Sequence, residues 1–198
     1  MKHLGDITKI NGAEIEPVDV ITAGSPCQDL SVAGNRAGLD GERSGLFMEQ
    51  IRVIREMRDA DRANGRADEF IRPRYMVWEN VPGALSSNKG EDFRSVLEET
   101  AKIVQEDAVI PRSPRGGWNY SGCIVGDRWS IAWRIHDAQF WGVPQRRKRI
   151  ALVADFGGYT APEILFVRKS LLGDSEESEQ PRKEVAGDSS EGIGEPSQ

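Results

Sequence analysis

The sequence predicts an α/β fold, and two observations carry that prediction. Short apolar, β-branched runs occur at residues 18–22, 74–80 and 149–156. Between them lie two stretches whose apolar residues recur at helical spacing. Strands alternating with helices build a sheet that is parallel wherever a crossover helix joins neighbouring strands.

The elements follow in order. "VDVIT" (18–22) reads as a short buried strand. "GLFMEQIRVIREMRDADRANG" (45–65) reads as an amphipathic helix, with Leu46, Phe47, Ile51, Ile54 and Met57 on one face and Gly65 as its stop. "RYMVWEN" (74–80) is a second strand, closed by the turn signal Val81-Pro82-Gly83. "EDFRSVLEETAKIVQED" (91–107) is a second helix, with Phe93, Val96, Leu97, Thr100 and Val104 on its apolar face. "RWSIAWRIHDAQF" (128–140) begins with strand-like alternation, and "RIALVADF" (149–156) is a third apolar strand. From residue 157 the pattern fades. Residues 173–198 are rich in Ser, Glu, Gly and Pro and hold too little apolar surface to offset the entropy of ordering. The expected division is therefore a catalytic-type body over 1–156 and an acidic linker or disordered tail over 157–198.

Length and composition bound the rest. At 198 residues, 38% hydrophobic, the chain is long enough for one domain with a core. No run approaches the roughly 20 apolar residues of a membrane span, and the N-terminus lacks the apolar centre of a signal peptide. A soluble, cytoplasmic protein is expected. Cys27 and Cys123 make no disulfide framework and no zinc pattern, and His3 and His136 have no partners at ligand spacing, so no metal is expected. The net charge of −6 is unevenly placed: residues 157–198 carry nine acidic and four basic residues, leaving the body nearly neutral. Acidity is therefore no argument against nucleic-acid binding by the body, which contains the basic run "QRRKR" (145–149).

Three clusters stand at or beside strand ends, where ligands bind in open α/β sheets. "SPCQ" follows the first strand, "ENV" ends the second and "QRRKR" precedes the third. Cys27 is either a nucleophile favoured by nearby cations or a small buried hydrophobe. Pro26 points to a rigid loop rather than a core. Glu79, after Trp78, is either a half-buried carboxyl able to share a proton near neutral pH or a solvated strand end. Asn80 is its hydrogen-bond partner or a turn residue. Arg147 and Arg149 either clamp a phosphate or base edge bidentately or form a solvated surface. Their setting between Gly142-Val143-Pro144 and an apolar strand favours inward-pointing alternate arginines.

Together, in this order, the clusters resemble those of the C5-cytosine DNA methyltransferase family. "GSPCQDLSVAGNRAGLDGERSGLF" is similar to its Pro-Cys-Gln motif and the segment after it, "ENVPG" to its Glu-Asn-Val motif, and "DAQFWGVPQRRKRIALVA" to its Gln-x-Arg-x-Arg motif. "GDI" near the start resembles its cofactor-side Gly-Asp-Ile. The resemblance covers about residues 4–156. It implies a Rossmann-like S-adenosylmethionine-dependent methyltransferase sheet, here incomplete at both ends, and double-stranded DNA as partner. Cys27 would be the nucleophile that adds to cytosine C6, Glu79 would hold N3 and the exocyclic amine, and Arg147 and Arg149 would position a base flipped out of the stack. Asp6, Ile7, Pro26 and Leu46 would lie along the cofactor. Gln28, Ser31, Asn80 and Gln145 would face substrate and DNA. Residues 28–46, with Gly34, Gly38, Gly41 and Gly45, would form a loop closing on DNA.

Two departures are visible. The family's glycine-rich Phe-x-Gly-x-Gly stretch has no match, and an acidic tail stands where a target-recognition domain would follow. Three accounts are expected to fit: a fragment of a longer enzyme, one half of a split methyltransferase whose complementary half is a partner, or a decayed remnant, bacterial or phage-encoded. A sheet short of strands exposes unpaired edges, so poor solubility alone is expected. The competing functions are an inactive DNA- or partner-binding remnant and an unrelated thiol hydrolase. The hydrolase would need a histidine close to Cys27.

Overall fold

The computed structural model describes residues 3–25, 45–113, 115–142 and 144–166. Within them five strands form one mixed sheet: β1 (Val20–Gly24), β2 (Tyr75–Asn80), β3 (Ser121–Val125), β4 (Ser130–Asp137) and β5 (Lys148–Asp155), in the order β1-β2-β5-β4-β3. Three helices accompany them: α1 (Gly45–Ala63), α2 (Glu91–Ala101) and α3 (Ala161–Leu165). β1 and β2 are joined through α1 and pair in parallel. β4 and β5 are joined by a loop over residues 138–147 and pair antiparallel, and β5 is antiparallel to β2 as well. The α/β expectation holds. The reversal of β5 has a functional consequence: its first residues stand at the edge where β1 and β2 end, with Asn80 opposite Ile150 and Glu79 opposite Ala151.

The core explains the helices. Trp78 of β2 is fully buried between Phe47 of α1, centroids 6.1 Å apart, and Phe93 of α2, at 6.2 Å. Phe93 continues the contact to Trp133 of β4 at 5.5 Å. Burying each such ring contributes roughly 1.5–3 kcal/mol, and edge-on aromatic packing adds to it. The expected α1 face is present in Phe47, Ile51, Ile54 and Met57, but Leu46 is 42% exposed. Leu46 lies in the first turn of α1, at the margin of the buried stripe. Gln50, Arg58 and Asp61 extend the buried stripe instead.

Four further expectations are corrected. The first strand runs over Val20–Gly24 at one end of the strand order and alternates exposed with half-buried residues rather than being buried. The second helix stops at Ala101, where Val104 and Gln105 both donate backbone N–H groups to its carbonyl. β3 was not expected from the sequence at all. The compact unit runs to Phe166 rather than to 156, because α3 packs on β4 and β5 with Ala161 fully buried and its N–H given to Ser130 Oγ at 3.3 Å. Residues 167–198, where the rest of the expected tail falls, lie outside the described residues.

The N-terminal segment is laid along α1. Arg52 donates to the carbonyls of Ile7, at 3.0 Å, and Ile10, at 2.9 Å, and the Gly12 N–H is bound by Glu56 at 2.7 Å. Gly12 is required there: a Cβ would stand 2.4 Å from the Val53 carbonyl oxygen.

Candidate active site

The site is built at the edge where β1 and β2 end and β5 begins. Glu79 and Gly24 are register partners, and a Cβ on Gly24 would lie 3.2 Å from Glu79 Oε2. The glycine therefore leaves room for the carboxylate to lie over the end of β1. From the other side Arg149 Nε reaches Glu79 Oε1 at 2.8 Å. This pair keeps 32% of the Arg149 and 48% of the Glu79 side chain exposed, so the carboxylate is ion-paired and accessible rather than half-buried and alone.

One residue before Pro26, the backbone is fastened. Ser25 is 9% exposed. Its carbonyl accepts from Asn80 Nδ2 at 2.8 Å, and its hydroxyl accepts from Trp78 Nε1 at 3.0 Å. Asn80 Oδ1 in turn accepts the Val81 N–H at 2.8 Å. Asn80, expected on the DNA side, is 3% exposed and is used to hold the exit of β1 against the exit of β2. Its position inside "ENV" signalled importance, and only the fold reveals Ser25 as its partner.

The basic run divides. Arg149 is half-buried on Glu79, whereas Gln145, Arg146, Arg147 and Lys148 are exposed. Arg147 therefore does not point inward as expected. Its backbone is held instead, with its N–H on Asp137 Oδ1 at 3.2 Å and its carbonyl on the Ala138 N–H at 3.0 Å. His136 stands opposite Arg149 in the β4–β5 register. Burial, helped by the charge of Arg134, holds its imidazole below the ordinary 6.5.

Asp6 and Ile7 form a 3-10 turn beside α1. Asp6 Oδ1 accepts from the Thr8 N–H at 3.0 Å and hydroxyl at 2.9 Å, and these bonds hold the carboxyl below its usual range. The side chain is exposed, and Ile7 beside it is half-buried. Leu46 lies six residues before Arg52 on α1, about 9 Å along the axis from the helix position that grips Ile7. Pro26, Cys27, Gln28 and Ser31, and residues 28–44 of the expected closing loop, lie outside the described residues. Among those described, no group of three His, Cys, Asp or Glu is placed to hold a metal ion. No described helix is long and apolar enough to cross a membrane.

The family description for C-5 cytosine-specific DNA methylase matches residues 1–103, just over half of the chain. A protein of Escherichia phage P1 named DNA N-6-adenine-methyltransferase is 38% identical over 176 residues, covering 77% of this chain and 22% of that protein. The type II methyltransferase M.BsuFI of Bacillus subtilis is 30% identical, covering 77% and 28%. M.AquIA of Picosynechococcus is 28% identical, covering 79% and 54%. The chain thus spans between about a fifth and a half of the length of these relatives. The crystal structure of the S. pombe Dnmt2 methyltransferase overlays with a TM-score of 0.46 at 19% identity, covering 92% of this chain and 42% of that one. By the match over residues 1–103, which include Cys27 and Glu79, the chain belongs to the C-5 cytosine-specific DNA methylase family.

Proposed function

We propose that the protein transfers a methyl group to C5 of cytosine in duplex DNA. The observation that carries this reading is the clamped exit of β1. Ser25 is fixed by Asn80 and Trp78 beside the Glu79–Arg149 pair. On this reading Cys27, two residues after the fixed Ser25 in the sequence, would be the nucleophile. The proposed reaction asks for a thiol, from Cys27, and for an acid–guanidinium pair, which Glu79 and Arg149 form.

The chemistry needs both. Cytosine C5 is a poor nucleophile while the ring is aromatic. The Cys27 thiolate adds to C6, forming a C–S bond and moving the ring electrons into an enamine with density on C5. Glu79, hydrogen-bonded to N3 and the exocyclic amine, neutralises charge developing there as sulfur adds. Arg149 orients the Glu79 carboxylate, and the exposed Arg147 is placed for DNA phosphate. After C5 has taken a methyl group, it loses its proton and the C–S bond breaks, returning the thiolate and the aromatic ring. C6 is hidden in the stack of duplex DNA, so the base must be turned out before addition. Asp6, Ile7 and Leu46 would hold the adenine of S-adenosylmethionine, which when bound would supply an electrophilic methyl on a sulfonium sulfur.

A second reading has a specific source: the phage P1 relative is named for adenine N6. An exocyclic amine carries its own lone pair and needs no thiol addition, so the two chemistries separate on Cys27. The test is incubation with S-adenosylmethionine and duplex DNA containing 5-fluorocytosine, followed by denaturing electrophoresis and nucleoside mass spectrometry. A denaturation-stable adduct lost in Cys27→Ser, with 5-methylcytosine from unmodified duplex, is expected. N6-methyladenine as the product, or an adduct persisting in Cys27→Ser, overturns the assignment. Duplex binding with neither adduct nor methylation favours a non-catalytic DNA-binding role.

A further inference from the structure

The described residues hold an acid that the mechanism leaves unused, placed at the neck of the basic loop. Asp137 closes β4 and is 7% exposed. Its carboxylate faces only N–H groups of the loop over residues 138–147. Oδ1 accepts from the backbone of Gln139 at 3.3 Å and of Arg147 at 3.2 Å, and Oδ2 accepts from Gln139 Nε2 at 3.1 Å. The Gln139 amide then passes the constraint on, because its Oε1 accepts from Arg146 Nε at 3.3 Å. Ala138 and Arg147 close the same neck through the backbone at 3.0 Å.

Building on the proposed DNA reaction, we infer that Asp137 is the positioning residue of the basic loop. It sets Arg146 through Gln139, and it fixes Arg147 through the backbone. Lys148 is its register partner on β5, so the strand that carries Arg149 to Glu79 starts from the same anchor. The loop carries Arg146 and Arg147 directly before Lys148 and Arg149 of β5, and adjacent cations repel one another. A buried carboxylate at its neck offsets that repulsion while leaving the guanidiniums outward for phosphate.

The requirement for an acid rather than an amide follows from donor counting. Asparagine at 137 still offers one oxygen to the two backbone N–H groups. Its NH2, however, meets the Gln139 NH2. If Gln139 flips to accept, it turns its own NH2 toward Arg146 and ends that bond. Asp137→Asn should therefore keep Arg147 and release Arg146, whereas Asp137→Ala releases both.

Two measurements on the full chain test this. The first needs no DNA: amide hydrogen exchange at Gln139 and Arg147. Exchange is expected to quicken by about tenfold or more in Asp137→Ala and to stay near wild type in Asp137→Asn. Unchanged protection in Asp137→Ala overturns the inference. The second is the salt dependence of binding to a fluorescent duplex, in which each phosphate contact contributes a slope of about 0.9. The slope should shrink by about one contact in Asp137→Asn and in Gln139→Leu, and by about two in Asp137→Ala. Equal slopes in all four proteins overturn the inference while leaving DNA binding intact. If wild type binds no duplex at all, the DNA reading fails instead, and the exchange result decides the positioning role by itself.

Discussion

At the edge where β2 begins, Asp155 is fully buried and accepts from Arg74 through both oxygens, at 2.9 and 3.1 Å, from the Thr160 hydroxyl at 2.6 Å, and from the N–H groups of Gly157 and Thr160. At the edge where β2 ends, Glu79 and Arg149 form one exposed ion pair. The first edge has further charges of the same kind. Asp61, nearly buried, is bound by Arg66 and Arg72, and Arg58, 4% exposed, donates to the Ile71 and Pro73 carbonyls and lies 5.3 Å over the Phe156 ring. Burial lowers the Arg58 pKa to about 10. Buried charges bound by several protein groups hold the fold. Charges that stay partly open to water, like Glu79, are available to something else.

The largest effects should therefore fall at the first edge. Arg74→Ala leaves the Asp155 carboxylate buried with its cation gone, and a loss of about 3–5 kcal/mol is expected in urea unfolding. Acid should act through the same group. Burial works to raise the Asp155 pKa, but the hydrogen bonds from Arg74, Thr160 and Gly157 outweigh it, so the carboxyl sits below its ordinary 3.8 in the folded protein. A group depressed on folding stabilises fully above its unfolded value and loses that contribution as pH falls through the folded one. Stability of the wild type should thus decline below about pH 4, and Asp155→Asn should flatten that decline while lowering the plateau above it. A plateau unchanged in Asp155→Asn would break the contrast between the edges.

Asn80 sharpens the comparison because it lies at the second edge and resembles the first. Its amide is buried and fully engaged with Ser25 and Val81. Asn80→Ala should cost about 1–3 kcal/mol by leaving the Ser25 carbonyl without its donor. It should also slow adduct formation, since it frees the segment leading to Cys27. A stability loss with no change in adduct rate would make Asn80 structural only.

The parts of this contrast readable in the sequence were those that repeat or cluster. Phe47, Ile51, Ile54 and Met57 announce α1 by their spacing, and "ENV" and "QRRKR" announce the second edge by their composition. What joins them was not readable. Nothing in "RIALVADF" states that β5 runs opposite to β2, yet that reversal is what brings Arg149 to Glu79. β3 escaped notice because "SGCIV" is short and begins with Ser-Gly; its Gly122 is instead an adaptation to the Trp133 ring across the strand pair. Asp137 and Ser25 read as ordinary strand-end residues, because their partners lie up to 55 residues away in sequence. Asp155 likewise meets Arg74 across 81 residues.

The smallest stability effect should come from the residue with the most chemistry. Glu79→Gln removes the charge from an exposed pair, and such pairs contribute about 0–1 kcal/mol. The melting curve should hardly move. On the proposed reaction transfer is another matter, since the amide would not supply the charge compensation asked of the carboxylate as sulfur adds to C6. A loss of about a hundredfold or more in adduct rate is expected. If Glu79→Gln instead destabilises the fold as strongly as Arg74→Ala, the pair at the second edge is a structural clamp like the first, and the division of labour between the two edges does not hold.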